Sequence, residues 1–112
     1  MPAESLTRPA FLILLALSDR PRHGLGVVDE VEARTQGEVR LGPGTLYGTL
    51  KRLAEAGLIR ETDDAPDPDD DDPRRRYYRV TALGAEALRQ EAERMRSLVL
   101  VAERKDVLEQ HT

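Results

Sequence analysis

The 112-residue sequence contains no cysteine, no tryptophan and a single phenylalanine, and it lacks a long apolar run. Without cysteine the chain has neither a disulfide framework nor a thiolate metal site. The apolar run at residues 11–17 is far short of the roughly 20 residues that a transmembrane helix needs. A basic residue before that run faintly resembles a secretory signal, but the run also suits a buried helix. We therefore expect a cytoplasmic protein with one domain plus an appendage and no membrane association.

Acidic residues are concentrated in one segment. The chain holds 21 acidic and 17 basic residues, a formal net charge of −4. Residues 63–72 contain seven aspartates and no base, so 14 acidic and 17 basic residues remain elsewhere, a net +3. Bases cluster at residues 20–22, 51–52 and 74–76, and the local field matters more than the total charge. The acidic segment predicts a solvated hairpin tip, and it lacks the glycine and glutamate of a calcium loop. We expect no metal ion and no cofactor.

Residues 43–56 predict a helix with both ends marked. Pro43 suits its first position, and Gly57 suits the left-handed residue that closes a helix. One face is an apolar stripe of Leu46, Leu50 and Leu53. The opposite face is small, hydroxylated and basic, as a helix that enters the major groove of DNA requires. Its candidate DNA contacts are Gly44, Thr45, Tyr47, Gly48, Thr49, Lys51 and Arg52. Tyr47 suits packing between helices equally well.

Two further helices are predicted upstream. Residues 9–18 are nearly all apolar, which predicts a helix buried against the core on one side and against a partner subunit on the other. Residues 25–36 predict an amphipathic helix with three valines inward, ended by Gly37. The alternation at residues 38–41 permits a short strand. His23, in the turn between the two helices, is interpreted as a capping or packing residue rather than a ligand.

Downstream, residues 58–62 and 74–80 predict two strands joined by the acidic segment. Three helices followed by such a hairpin are the order of a winged helix-turn-helix, a mainly α fold of the α+β type. The wing would span residues 58–80. The candidate phosphate contacts at its base are Arg74, Arg75 and Arg76. The alternative interpretation is that these arginines neutralise the adjacent acidic loop.

A long helical pattern starts at Thr81, a residue type that suits an N-cap, and continues to about residue 110. Its apolar residues follow the spacing of a short coiled coil, which predicts contact with a second copy. Together with the first helix, the candidate dimerisation residues are Phe11, Leu15, Leu88, Met95, Leu98, Val99 and Ala102. We therefore divide the chain into a winged helix-turn-helix domain at residues 1–80 and a long C-terminal dimerisation helix at residues 81–112.

Several motifs together resemble the PadR family of bacterial transcriptional regulators, in its short subfamily with one C-terminal helix. They are His-Gly at residues 23–24, Gly-Thr-Leu-Tyr at 44–47, Leu-Lys-Arg-Leu at 50–53, Glu-Ala-Gly-Leu-Ile at 55–59, Arg-Tyr-Tyr-Arg at 76–79 and Thr-Ala-Leu-Gly at 81–84. The resemblance implies a DNA-binding homodimer, usually a repressor, whose last helices form the dimer contact. Some short members also bind flat aromatic or cationic drugs between their subunits, so a small-molecule effector at the dimer interface is a candidate partner.

The sequence departs from the family pattern in four places. Gly42 stands where serine often precedes the proline, so a side-chain N-cap is lost. Gly48 replaces a usual proline, and glycine costs the helix about 1 kcal/mol relative to alanine. Residues 25–26 are Leu-Gly instead of Tyr-Glu. The absence of tryptophan argues against the aromatic pair with which drug-binding short members hold their ligands.

Two functions are compatible with the sequence. The favoured one is a homodimeric repressor that recognises a palindromic operator in double-stranded DNA through helix 43–56 and the wing. The alternative is a winged-helix interaction module that does not bind DNA and holds a protein partner through its acidic loop or long helix. An enzyme is not expected, because His23 and His111 are paired neither with each other nor with a serine.

Overall fold

The computed structural model describes residues 6–63 and 75–109, which contain four helices and three strands. In chain order these are α1 (Arg8–Leu17), β1 (Arg22–His23), α2 (Gly24–Arg34), α3 (Pro43–Glu55), β2 (Ile59–Thr62), β3 (Tyr77–Val80) and α4 (Ala82–Arg104). The strands form an antiparallel sheet in the order β1-β3-β2. The fold is a winged helix-turn-helix of the mainly α class, as the sequence predicts. The acidic residues 64–72 and Arg74 lie outside the described residues.

The apolar faces of α1, α2 and α3 meet in one core. Ile13 and Leu14 of α1 are fully buried, as is Val27 of α2, and Leu50 of α3 and Ile59 of β2 complete the contact. This packing confirms the inward valines and the leucine stripe predicted from the sequence. Because α3 buries one face here, its other face is left outward. None of the helices in the described part of the chain is long and apolar enough to cross a membrane.

The ends of α3 confirm the sequence-based prediction. Pro43 occupies its first turn, and Gly42 precedes it without a side-chain cap. Gly57 adopts φ +78°, and the N–H of Leu58 donates to the carbonyl oxygen of Leu53 at 2.9 Å. This left-handed closure directs the chain from the helix into β2.

The alternation at residues 38–41 does not form a strand, contrary to expectation. The N–H of Val39 instead donates to the hydroxyl of Thr35 at 3.1 Å, and Leu41 is buried in the core. The third strand comes from β1, where Arg22 pairs with Tyr78 and His23 with Tyr77. A strand of two residues is too short to show an alternation, so the sequence pattern could not reveal it.

The start of α4 is fixed to the turn that follows α3. Thr81 caps the helix, since its hydroxyl accepts from the N–H of Gly84 at 3.0 Å and donates to the carbonyl oxygen of Gly57 at 2.7 Å. The N–H of Thr81 also donates to the carbonyl oxygen of Leu58 at 3.0 Å. A Cβ atom at Gly84 would overlap that same Leu58 oxygen. The Thr-Ala-Leu-Gly motif therefore serves to dock α4 on the domain.

α4 ends at Arg104, several residues before the predicted end near residue 110. Asp106 adopts φ +62°, and the N–H of Val107 returns to the carbonyl oxygen of Ala102 at 2.8 Å. The closure uses an aspartate rather than glycine or proline, so no strong stop signal marked it in the sequence. The 23 helical residues span roughly 34 Å at 1.5 Å per residue.

Candidate nucleic-acid interface

The outward face of α3 is small near its start and basic near its end. Gly44 and Thr45 are exposed in the first turn, and Lys51 and Arg52 are exposed in the last two turns. A Cβ atom placed on Gly44 would meet nothing within 4 Å, so this part of the backbone is open to close approach. Gly48 is half-buried between the two groups. Most of the helix residues predicted to contact DNA therefore share one accessible face.

Thr49 does not lie on that face, and its predicted placement there was wrong. Its side chain is only 1% exposed. Its position, three residues after Leu46 and four before Leu53, places it within the buried stripe. Its hydroxyl accepts a hydrogen bond from Nη2 of Arg52 at 3.2 Å. Thr49 thus helps to position Arg52. The prediction placed Thr49 on the outward face because a hydroxyl side chain usually faces solvent.

Tyr47 is exposed and at the same time packs against a neighbouring helix. Its side chain is 57% exposed beside the outward face of α3. At the same time its hydroxyl lies over the start of α2, where a Cβ atom on Gly24 would come within 3.1 Å of it. Gly24 therefore leaves the space that the hydroxyl of Tyr47 occupies.

His23 caps α2, as predicted. Its Nδ1 atom accepts a hydrogen bond from the N–H of Gly26 at 3.1 Å. The imidazole ring meets the ring of Tyr77 edge to face, with centroids 5.3 Å apart. The backbone of His23 is itself paired with Tyr77 in the sheet. The ring is thereby held from two sides, which fixes the direction of its second nitrogen.

The base of the wing, residues 75–76, carries two exposed arginines. Nη1 of Arg75 lies 3.1 Å from Nε2 of His23, and Nη1 of Arg76 donates to the carboxylate of Glu61 at 3.3 Å. The Arg76–Glu61 pair is largely exposed, and such pairs contribute only about 0–1 kcal/mol. Arg76 can therefore exchange this partner for a phosphate at little cost. Arg74, the third predicted contact, lies outside the described residues.

Arg22 does not contribute to the basic surface, although it belongs to a basic cluster in the sequence. Its guanidinium contacts the carboxylates of Glu30 at 2.9 Å and Asp19 at 3.3 Å, and Nε donates to the carbonyl oxygen of Ala16 at 2.8 Å. The side chain is only 12% exposed. The two carboxylates neutralise its charge, and its contacts connect α1 to α2.

A shallow pocket of about 320 Å³, here called the His23 pocket, lies between the start of α2, the middle of α3 and the wing base. Its lining residues are His23, Gly24, Leu25, Tyr47, Arg75, Arg76 and Tyr78. The pKa of the Tyr78 phenol is raised, by burial first and then by the carboxylate of Glu61. That phenol is therefore protonated at neutral pH and can donate. The sequence pointed to some of these residues separately, but only folding brings them together.

The distal part of α4 forms an exposed apolar surface. Every residue from 92 to 100 is exposed. Met95 is 40% exposed, Leu98 70% and Val99 46%, while Ala102 is half-buried at the end of the helix. These four residues, here called the α4 seam, lie at the spacings predicted for contact with a second copy.

Three other predicted dimerisation residues are distributed differently. Leu88 is 9% exposed and belongs to the core of its own chain, so its assignment to the seam was wrong. It is buried because the first turns of α4 dock on α1 and β3. Phe11 is half-buried and packs against the core, whereas Leu15 is 40% exposed on the outer side of α1.

The tri-helical core, the helix-turn-helix made by α2 and α3 and the two-stranded wing define the class of winged helix-turn-helix proteins. Within that class the chain belongs to the transcriptional regulator PadR-like family, whose model matches residues 13–90. The matched region contains both the outward face of α3 and the wing base.

Solved structures share this architecture. A PadR family transcription regulator from hypervirulent Clostridium difficile R20291 is 24% identical, with a TM-score of 0.72 over 88% of this chain and 97% of that one. A transcriptional regulator from Clostridium thermocellum is 23% identical, with a TM-score of 0.69 over 86% and 87%. At these identities the similarity establishes the fold.

A curated relative from Streptomyces fradiae is more similar in sequence. It is an uncharacterized 37.1 kDa protein in transposon TN4556, 39% identical over 87 residues. The match covers 78% of this chain but 23% of that protein, so the chain spans about a quarter of its relative's length.

Proposed function

We propose that the chain is a DNA-binding repressor that acts as a homodimer on a palindromic operator. The observation that carries this proposal is the accessible face of α3, which is free of bulk at its start and basic at its end. In helix-turn-helix proteins the N-terminal residues of the second helix contact base edges in the major groove. Gly44 and Thr45 occupy that position here, and both are exposed.

The surrounding charges suit contacts with the phosphate backbone. Lys51 and Arg52 lie further along the same helix, and Arg75 and Arg76 lie at the wing base beside it. Lysine and arginine contacts to phosphates position a protein on the duplex, whereas contacts to base edges provide sequence specificity. We therefore assign orientation to these four bases and specificity to the first turn of α3, with Tyr47 at the boundary.

The α4 seam supports the homodimer. Its residues lie beyond the part of α4 that docks on the domain, and Met95, Leu98 and Val99 are exposed in the single chain. Contiguous apolar surface of this kind usually marks a protein contact. Ion pairs along the same helix, such as Glu86–Arg89 and Glu93–Arg96, keep its remaining surface polar. We propose that two copies pair here and that Leu15 of α1 borders the contact.

The division of the chain follows from this arrangement. We propose a DNA-binding domain at residues 1–80 and a dimerisation helix at residues 81–112, in which the turns before Leu88 act as a support docked on the domain. A protein that acts on the cell's own DNA would work in the cytoplasm. A small-molecule effector at the dimer interface is proposed from the family resemblance alone, and catalysis is not part of the proposal.

Binding to the DNA upstream of the chain's own gene tests the proposal. The wild-type protein is titrated against a fluorescent duplex, and the double variant Lys51→Ala/Arg52→Ala is compared with the control Arg89→Ala. Arg89 is an exposed arginine on α4 that pairs with Glu86 of the same helix. We expect the double variant to lose affinity and the control to keep it. Equal affinity of all three proteins would contradict the placement of the DNA-binding face on α3. No binding by any of them would favour a winged-helix module that binds another protein.

A further inference from the structure

Another shallow cavity, here called the Leu25 pocket, is lined by residues from the first turns of α2 and α3 and from the turn that precedes α3. Its volume is about 480 Å³. Val28, Leu41 and Leu46 form its floor, and all three belong to the buried core. The pocket is therefore a place where the apolar core of the domain comes close to the surface.

The walls of the Leu25 pocket expose further apolar surface. The side chain of Leu25 is 51% exposed, and that of Tyr47 is 57% exposed. Arg40 at the rim is charged, but its guanidinium already contacts the carboxylates of Glu32 and Asp29. Since these carboxylates offset the charge of Arg40, the pocket suits a neutral apolar group better than an anion.

The Leu25 pocket borders the surface of α3 that is proposed to enter the major groove. Pro43 and Tyr47 both line it, and they lie one helical turn apart, so they share the side of α3 next to Gly44. A Cβ atom placed on Gly42 or on Gly44 would meet nothing within 4 Å. The backbone around the pocket is therefore open to the close approach of base edges.

Leu25 itself lies between two parts of the proposed DNA contact. It lines the His23 pocket together with Arg75 and Arg76, and it lines the Leu25 pocket together with Pro43. A duplex whose phosphates meet these arginines while its base edges meet the first turn of α3 has to pass over Leu25. Covering an exposed leucine is most favourable where the DNA presents an apolar group in return. In the major groove that group is the C5-methyl of thymine, since the base edges otherwise present hydrogen-bond donors and acceptors.

We propose that the Leu25 pocket of each subunit receives the C5-methyl group of one thymine, which makes Leu25 a specificity-determining residue. The inference rests on the DNA-binding function and deepens it, because it names a base that the protein prefers. Leu25 and Tyr47 enclose the methyl group, and the leucine acts by apolar contact alone. Its contribution is independent of the phosphate contacts, because its side chain carries no charge.

Removal of single methyl groups from the DNA tests the proposal. The probe is the tightest duplex that the wild-type protein selects from a pool of random sequences. Each thymine of the probe is replaced in turn by uracil, which lacks only the C5-methyl. At one thymine in each half of the site, the replacement should weaken binding about fourfold, and about 15-fold when both are replaced. The slope of log K against log salt should stay unchanged, because no charge is removed.

The variant Leu25→Ala connects the methyl group to the pocket. Uracil at the sensitive position should weaken binding by this variant less than about twofold, because the methyl group has already lost its partner. Leu83→Ala is the matched control, since it removes a leucine of similar exposure, 59%, from α4 and should retain the full effect of uracil. Thr45→Ser removes a methyl group from the outward face of α3 and should also retain it. Equal thermal midpoints of Leu25→Ala and the wild type confirm that the fold is kept.

Distinct outcomes separate this inference from the function on which it rests. If the wild-type protein selects no duplex, the DNA-binding function fails. If it selects a duplex but no uracil weakens binding, or if the effect of uracil persists in Leu25→Ala, the thymine contact is refuted while DNA binding stands. If no uracil matters and Leu25→Ala abolishes the fluorescence of Nile red bound to the wild-type protein, the pocket takes a free apolar ligand, and its assignment to DNA is overturned.

Discussion

The exposed seam of α4 gives the sharpest prediction about assembly. Leu98 and Val99 are 70% and 46% exposed in the single chain, so both have surface to bury in a dimer. Fully burying such a side chain contributes about 1.5–3 kcal/mol, and partial burial proportionately less. Replacing both with aspartate removes that gain in each of two subunits and adds charges that an apolar interface cannot solvate.

The combined destabilisation of the dimer should be at least about 3 kcal/mol, more than a hundredfold in its dissociation constant. Sedimentation of Leu98→Asp/Val99→Asp should therefore show monomers at concentrations where the wild-type protein is dimeric. Leu83→Asp is the matched control, because Leu83 is also an exposed leucine of α4, at 59%, but lies in the docked first turn. An unchanged dimer in the double variant would refute the assignment of the seam.

Three further predictions concern stability and affinity. Gly48→Ala should raise the thermal midpoint through a gain of about 1 kcal/mol, because the new Cβ would meet only the flexible end of the Arg52 side chain, at 3.5 Å. Gly84→Ala should lower the thermal midpoint by the equivalent of about 1–3 kcal/mol or more, because the new Cβ would overlap the carbonyl oxygen of Leu58. A midpoint equal to that of the wild type would contradict the docking of α4 on the turn after α3. Changing the aspartates at residues 69–72 to asparagine should tighten DNA binding, most clearly at low salt. The reason is that the aspartate charges compete with phosphate for the wing arginines. Weaker binding would show that the loop supports the wing.

Local signals in the sequence predicted most of the fold. Pro43 and Gly57 mark the ends of α3, Thr81 marks the start of α4, and each has the predicted role in the structure. These signals worked because a cap or a left-handed closure depends on a few neighbouring residues. The end of α4 was missed because Asp106 closes the helix in a conformation that its residue type seldom adopts.

The site was predicted less completely, because burial depends on packing between elements. Thr49 has a polar side chain but lies in the core, and Leu88 follows the seam spacing but is covered by its own domain. Neither fact can be read from helical periodicity alone. The contact between His23 and Arg75 joins residues 52 positions apart, so no local pattern could have revealed the His23 pocket.

The salt dependence of DNA binding tests the central claim most directly. In the proposed dimer each subunit presents Lys51, Arg52, Arg75 and Arg76 to the phosphates. Eight such contacts predict that log K for the DNA upstream of the gene falls linearly with log salt, with a slope of about −7. A slope near zero would contradict the assigned phosphate contacts, and no measurable binding to that DNA would contradict the account and leave the winged helix as a protein-binding module.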